Sequence, residues 1–409
     1  MSLSSLIAFR WLKPKPNAYT SPMIRLGIAS VALCVFVMVI SLCVLVGFKK
    51  EISQKVFGFG AHISIRTYQT ESSREAQILP LAPSFYHWLE NTKEIKQYQV
   101  FASKGGLLKT ADENYGIVAK GVAYNYDTVF FSSKLIAGRL ARYHKDSSSN
   151  EILISKEMAK KLQIRVGEKA RCYFVVDDNL RERAFKVVGI YETGLEKFDK
   201  SIIICDLKQI QKLNNWQDTD IEGVEVELVN PAQINHISLR INDLLPYDCI
   251  AYNVYELYPD IFGWLDLTDM NVLILFIIMS LVSSISLISI LFILVIEQSA
   301  GVGILKALGA SNRLIEGIFI KQSMGIMGIG LLIGNILSLL VCGLQNAYHF
   351  LKLDQSVYFL SHIPVSFPWE EILLLNLAFV VISGAFIGLA SFIVNSLSPI
   401  EALKLGNSK

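Results

Sequence analysis

The chain has 409 residues, 52% of them hydrophobic and 18% charged, with a formal net charge of +2. The two classes are segregated into long apolar runs and mixed stretches, the composition of a membrane protein. The net charge itself says little, because the charge bias is local, and nucleic acid is not expected among the partners.

Residues 2–12 carry apolar side chains at Leu3, Leu6, Ile7 and Trp11 and stop at Pro14 and Pro16. That pattern predicts a short helix in the membrane surface within a cytoplasmic segment 1–23. A first spanning helix follows over 24–47. Its apolar run outlasts a signal h-region and passes Val46, Gly47 and Phe48 without a small-x-small site, so it reads as a retained anchor. Phe48, Ile52 and Val56 keep the helical spacing beyond it, and residues 255–267 do the same ahead of the second span. A domain over 48–270, periplasmic in a cell with two membranes, is therefore expected, flanked by two stalk helices. Inside it, β-branched content and alternation predict strands at 61–67, 98–102, 115–122, 151–154, 170–176, 183–191, 201–205 and 222–229. Helices are expected at 83–91, 156–162, 207–213 and 231–244, with turns at 147–150 and 177–179.

Three more spans are predicted at 271–296, 322–344 and 372–397, joined by a loop at 297–321 and another at 345–371, with a tail at 398–409. Each span is roughly 23 to 26 residues, about 35 to 39 Å as a helix, against a hydrocarbon core about 30 Å thick. Arg10, Lys13 and Lys15 precede the first span and Arg25 stands at its start, and Lys306, Arg313 and Lys321 lie in the 297–321 loop. The 345–371 loop sets Lys352 against Asp354, Glu370 and Glu371. The positive-inside rule places both termini and the 297–321 loop in the cytoplasm, and the large domain outside. The fold class expected is an α-helical membrane protein with four transmembrane helices and a large periplasmic α+β domain inserted between helices 1 and 2.

Catalytic motifs are missing. The sequence contains no P-loop, no H-E-x-x-H and no G-x-S-x-G. His62, His87, His144 and His236 fall on separate elements and read as structural. No cysteine pair has zinc or redox spacing, and Cys172, Cys205 and Cys249 read as buried apolar thiols, one disulfide among the three being the alternative. No cofactor or metal is expected, and the chain reads as a non-catalytic subunit. Between Arg25 and Lys49, and throughout the other three spans, there is no charge, so no ionisable group lies at the midplane with which to harvest an ion gradient. Energy must come from elsewhere. Gly330 and Gly334 form one G-x-x-x-G, and Gly384 and Gly388 another, the spacing that lets helix backbones approach within the bundle or across a dimer. In the 297–321 loop, Ile304, Leu305 and Leu308 form a helical apolar face closed by Gly309, suited either to the bilayer surface or to a cytoplasmic partner.

Here the sequence resembles the LolC/LolE-type permeases of lipoprotein-releasing ABC transporters, within the broader MacB/FtsX superfamily. The run Gly303-Ile304-Leu305-Lys306-Ala307-Leu308-Gly309-Ala310-Ser311 is similar to the family's coupling-helix signature. Gly47-Phe48-Lys49-Lys50-Glu51-Ile52, with Ala61-His62-Ile63, resembles the segment leaving the first membrane helix. Gly194 to Asp199, Glu222-Gly223-Val224-Glu225-Val226 with Asn230-Pro231, Trp264-Leu265-Asp266, Ile363-Pro364-Val365 and Pro399-Ile400-Glu401-Ala402-Leu403 match further stretches in the family's order. One departure stands out: Gly301 and Val302 occupy positions where the superfamily often has an acid, leaving that contact absent or supplied by Glu297.

The resemblance implies a MacB-like permease fold and a cytoplasmic ATPase dimer bound at Glu297–Ala310, through Glu297, Gly303, Ile304, Leu305, Lys306, Leu308, Gly309 and Ala310. It also implies a second permease subunit, identical or not, and a triacylated lipoprotein that leaves the membrane lipid for a periplasmic carrier. Phe36, Val39, Ile40, Cys43 and Phe48 are the expected lipoprotein contacts. Two alternatives share the superfamily: an FtsX-type signalling subunit acting on a cell-wall hydrolase, and a MacB-type efflux permease.

Overall fold

The structure, a computed structural model, describes residues 8, 20–68, 77–110, 113–176, 179–353 and 360–394. The expected surface helix at 2–12 falls, apart from Ala8, outside these residues. So do the tail at 398–409 with its Pro399–Leu403 motif and the tip of the 177–179 turn. The chain divides into two compact units. A helical unit comprises 1–50, 264–352 and 362–409, and a sheet unit comprises 51–263 and 353–361.

Among the described residues, four helices are long and apolar enough to cross a membrane, within Thr20–Gly60, Pro259–Glu297, Asn312–Tyr348 and Trp369–Val394. A shorter helix, Ser299–Ala307, joins the second to the third. The core of the helical unit draws on all four. Val31, Val35, Met38 and Val39 of the first pack with Leu287 and Leu291 of the second, Phe319 and Ile326 of the third and Phe379 of the fourth. Polar pairs cross between helices inside this core. Ser30 Oγ donates to Ser286 Oγ at 3.0 Å, and Asn335 and Asn376 exchange amide hydrogen bonds at 3.0 and 3.1 Å. Each asparagine amide also donates to a carbonyl of its own helix, Leu331 O and Ile372 O, and the bonds across the helices fix their register.

The sheet unit is one ten-stranded sheet: β1 Ile63–Thr67, β2 Ile95–Lys109, β3 Asn114–Val122, β4 Leu135–Gly138, β5 Glu151–Ser155, β6 Lys169–Val176, β7 Asn179–Tyr191, β8 Ile202–Asp206, β9 Gly223–Leu228 and β10 Cys249–Asn253. The strand order is β10-β1-β9-β2-β3-β8-β5-β7-β4, with β6 bridging β2 and β7. β3 with β8 and β5 with β7 pair parallel, and the other pairs run antiparallel. The fold class read from the sequence holds, and the α+β domain lies between the first and second long helices in the chain. The sequence reading lacked two of the strands, β4 and β10. It also shortened β2 to 98–102, where the strand runs on through Gly105 and Gly106 to Lys109. A β-carbon at Gly106 would meet the Phe174 ring at 2.6 Å, so that glycine marks a close cross-strand approach within a continuous strand.

Helix ends follow local chemistry. Ser155 Oγ caps Lys156–Leu162 by accepting from Met158 N at 3.1 Å, and Asp206 caps Leu207–Leu213 by accepting from Lys208 N at 3.1 Å. Asn253 and Glu256 form a reciprocal capping box that starts Val254–Leu257. The single helix expected over 255–267 is broken at Tyr258. Pro259 has no N–H and disfavours the helical conformation of the residue before it, so a new helix starts there.

Candidate functional site

The Ser299–Ala307 helix buries none of its residues. Val302 and half-buried Leu305 share one side, and Val302 packs on the helical core. Ile304 and Leu308, one turn apart, are 64% and 81% exposed. The apolar face read from the sequence is therefore divided. Ile304 and Leu308 are fully presented, and Leu305 only partly. Gly309 takes φ +88°, and its N–H donates to Lys306 O at 3.0 Å while Ala310 N donates to Leu305 O at 2.9 Å. This pair of bonds is a Schellman closure, which needs a left-handed residue after the helix and so favours glycine. Ser311 Oγ then accepts from Leu314 N and caps the next helix, so the joint is stiff on both sides. Exposed Glu297 ends the second long helix, and Gly303 and Lys306 are half-buried.

At another place in the helical unit, three separated motifs meet. A β-carbon at Gly47 would sit 2.5 Å from the Pro364 carbonyl oxygen, so the segment at 363–366 lies directly on the first long helix. Ser366 N also donates to Cys43 O at 3.1 Å. The Phe48 ring meets Trp264 edge-on at 6.5 Å between centroids. Lys49 pairs with Asp269 and lies 3.9 Å from Asp266. Gln345, buried in the third long helix, holds the adjoining loop by accepting from Leu351 N at 3.0 Å and donating to the carbonyls of Leu351 and Ile363.

In the sheet unit the motif residues serve the last turn of the first long helix. Lys120 donates to Phe59 O at 2.9 Å and to Glu225 Oε1 at 2.6 Å, and both charged side chains are buried. A lysine on the final carbonyls of a helix answers the negative end of its dipole. Phe59 stacks on Phe198 at 4.3 Å, and Phe198 meets Tyr258 edge-on at 5.3 Å. The Gly194–Asp199 loop holds Phe198 there. Gly194 adopts φ +77°, and the Asp199 carboxylate accepts from Thr193 Oγ1 at 2.9 Å and Gly194 N at 2.9 Å. Burial raises the Asp199 pKa, and those hydrogen bonds oppose the shift. Glu222 Oε2 accepts from Ser103 Oγ at 2.6 Å, and a β-carbon on Gly223 would strike the Phe101 ring.

The remaining predicted residues separate by environment. Val39 and Cys43 are fully buried among the long helices, and Phe36 and Ile40 are half-buried. Gly330 and Gly334 abut the first long helix, where added β-carbons would meet Val31 and the Ala32 carbonyl, each at 2.7 Å. Gly384 and Gly388 face open space in this chain. All six cysteines are free and buried. Sequence reasoning missed Lys120 and Asp269, whose partners lie far along the chain. It also missed Gln322, which is buried in the third long helix with neither side-chain amide atom hydrogen-bonded.

Residues 26–244 match the family described as MacB-like periplasmic core domain, and residues 273–399 match the FtsX-like permease C-terminal family. A lipoprotein-releasing system transmembrane protein LolC from Neisseria meningitidis serogroup B is 24% identical over 397 residues, covering 91% of this chain and 92% of that one. The LolE counterpart from Haemophilus influenzae is 21% identical over 404 residues, covering 94% of each. The periplasmic region of MacB from Actinobacillus actinomycetemcomitans overlays 50% of this chain and 95% of its own, at 16% identity and a TM-score of 0.36. The fold assignment rests on the two family matches and not on that overlay.

Proposed function

The chain belongs to the MacB-like periplasmic core domain family, with an FtsX-like permease half, and on that footing we propose that it is the permease subunit of a lipoprotein-releasing ABC transporter. Its similarity to LolC and LolE proteins over most of its length supports the substrate class. Both termini and the Ser299–Ala307 helix face the cytoplasm, and the sheet unit faces the periplasm.

In this reading ATP is hydrolysed on a separate ATPase dimer, which docks on the segment from Glu297 to Ala310. A second permease subunit completes the complex. Closure of the ATPase moves the long helices and, through them, the sheet unit. A triacylated lipoprotein enters sideways beside Phe36 and Ile40, near Phe48, and leaves for a periplasmic carrier. Extraction needs an external energy source because each CH₂ withdrawn from lipid costs about 0.8 kcal/mol.

The observation that supports the coupling role is the exposed Ile304–Leu308 pair on a short helix whose C-terminal end is closed by the Gly309 turn. Two large apolar residues one turn apart on a rigid short helix form a ready hydrophobic contact for a partner groove. Purification of the full chain from its native membrane, with identification of what accompanies it, tests the proposal. It requires a P-loop ATPase together with acylated lipoproteins. An ATPase accompanied by a cell-wall hydrolase and no lipoprotein would replace it with the signalling alternative.

A further inference from the structure

The sheet unit holds a cavity of about 620 Å³, lined by β2, β9, the last turns of the first long helix with His62, and residues 126–130. That volume falls within the range of ordinary ligand sites. Three carboxylates line it, Asp127, Glu225 and Glu227, against one cation among the described lining residues, Lys96. Gln97 Nε2 donates to Asp127 Oδ2 at 3.0 Å and to Glu227 Oε2 at 2.7 Å, which holds those two acids side by side. Lys96 pairs with Glu227 at 2.8 Å, and Lys120, behind the cavity, pairs with Glu225 at 2.6 Å, which leaves Asp127 as the acid with no ion pair of its own among the described residues.

Two lining groups that are 95% buried keep unused hydrogen-bonding capacity. Glu225, 5% exposed, gives Oε1 to Lys120, and no described residue bonds its Oε2. His62, also 5% exposed, accepts from Leu228 N at 2.9 Å through Nδ1. The neutral ring therefore carries its proton on Nε2, and no described residue accepts it. Burial lowers the His62 pKa, so the ring stays uncharged at neutral pH and does not repel a cation. Buried polar groups with open valences call for a partner.

We propose that this cavity binds a lysine or arginine side chain of an extended polypeptide, its cationic head on the adjacent Asp127 and Glu227 carboxylates and a backbone carbonyl on His62 Nε2–H. The imidazole N–H discriminates among cations. It cannot bond an ammonium group, but it suits a peptide carbonyl, which a free amine lacks. Exposed Val129 and Val229 line the same cavity and fit the aliphatic stem. A divalent ion is disfavoured, since among the described residues no three His, Cys, Asp or Glu side chains converge in metal-binding geometry.

The test uses the full chain in phosphatidylcholine nanodiscs, whose neutral surface does not attract basic peptides. Two probes are titrated by fluorescence anisotropy: dansyl-Gly-Ala-Lys-Ala-Gly-amide and the same peptide with norleucine for lysine. The lysine peptide is expected to bind at least about ten-fold tighter, the scale of one charge-assisted hydrogen bond. Asp127→Asn with Glu227→Gln should remove that advantage. Val129→Trp, at an exposed position that leaves every charge in place, should block both peptides while the circular dichroism spectrum is retained. Equal binding of the two peptides would overturn the proposal, and so would unchanged binding to the Val129→Trp chain. Displacement of the peptide by equimolar putrescine would overturn the choice of a polypeptide over a free amine.

Discussion

Gly47 and Pro364 touch backbone to backbone: a β-carbon on Gly47 would lie 2.5 Å from the Pro364 carbonyl oxygen. The contact joins two motifs separated by the whole sheet unit in sequence, and it explains why a glycine ends the first apolar run. Gly47→Val should force the 363–366 segment away, at a cost of about 1–3 kcal/mol from overpacking. Gly384→Ala, whose added carbon meets nothing within 4 Å, should be neutral or slightly stabilising. Thermal unfolding of the full chain in detergent checks both. Equal midpoints for the two variants would remove the packing argument.

The buried Lys120–Glu225 pair gives a sharper contrast. Lys120→Met strands a buried carboxylate and uncaps the last turn of the first long helix. The expected loss is about 3–5 kcal/mol, as for other buried pairs broken on one side. Adding Glu225→Leu should recover part of it, because the uncompensated charge disappears. Chemical denaturation of both variants measures the difference. If the double variant is as unstable as the single, the loss comes from the helix cap and not from the stranded charge.

Much of this was legible in the sequence, and what was not has physical reasons. The four apolar runs and the inserted α+β domain followed from segregation and alternation, and both depend only on neighbours in sequence. The Gly309 closure was readable because a Schellman turn is local. Lys120 was not, since its partners Phe59 and Glu225 are 61 and 105 positions away. β4 was missed because it is short and carries three exposed residues, so it shows no alternation. The apolar face at 304–308 was visible as a pattern. Only the structure shows that Leu305 turns partly inward while Ile304 and Leu308 remain outside.

His62 should make the sheet unit sensitive to acid. Its pKa in the folded chain lies below the usual 6.5, so over that interval the unfolded chain binds the proton more readily. Stability is therefore unaffected well above pH 6.5 and falls as pH drops through 6.5 toward the depressed value. Asp199 and Asp206, whose pKa values burial raises, act in the opposite direction at lower pH. In His62→Gln the amide oxygen can still accept from Leu228 N, and the loss between pH 7 and about 5.5 should shrink. Unfolding midpoints of the two chains across that range test this. Parallel curves would assign the acid sensitivity to other groups.

The proposed orientation has its own check. Single cysteines placed at exposed Ser147 and Ser311 in a chain whose six native cysteines are buried should label from opposite sides. An impermeant maleimide added outside should reach the first and not the second. Reversed labelling would invert the topology and remove the cytoplasmic docking site.

Transmission from the Ser299–Ala307 helix to lipoprotein release is most directly tested in proteoliposomes containing the complex. Ile304→Asp with Leu308→Asp changes two exposed side chains and leaves the Gly309 closure intact. The measurement is ATP-dependent transfer of a triacylated lipoprotein to a soluble carrier. Transfer is expected to fall to the level without ATP, and ATPase stimulation by the permease to be lost. Release at the unmodified rate, with the ATPase still bound and stimulated, would contradict it.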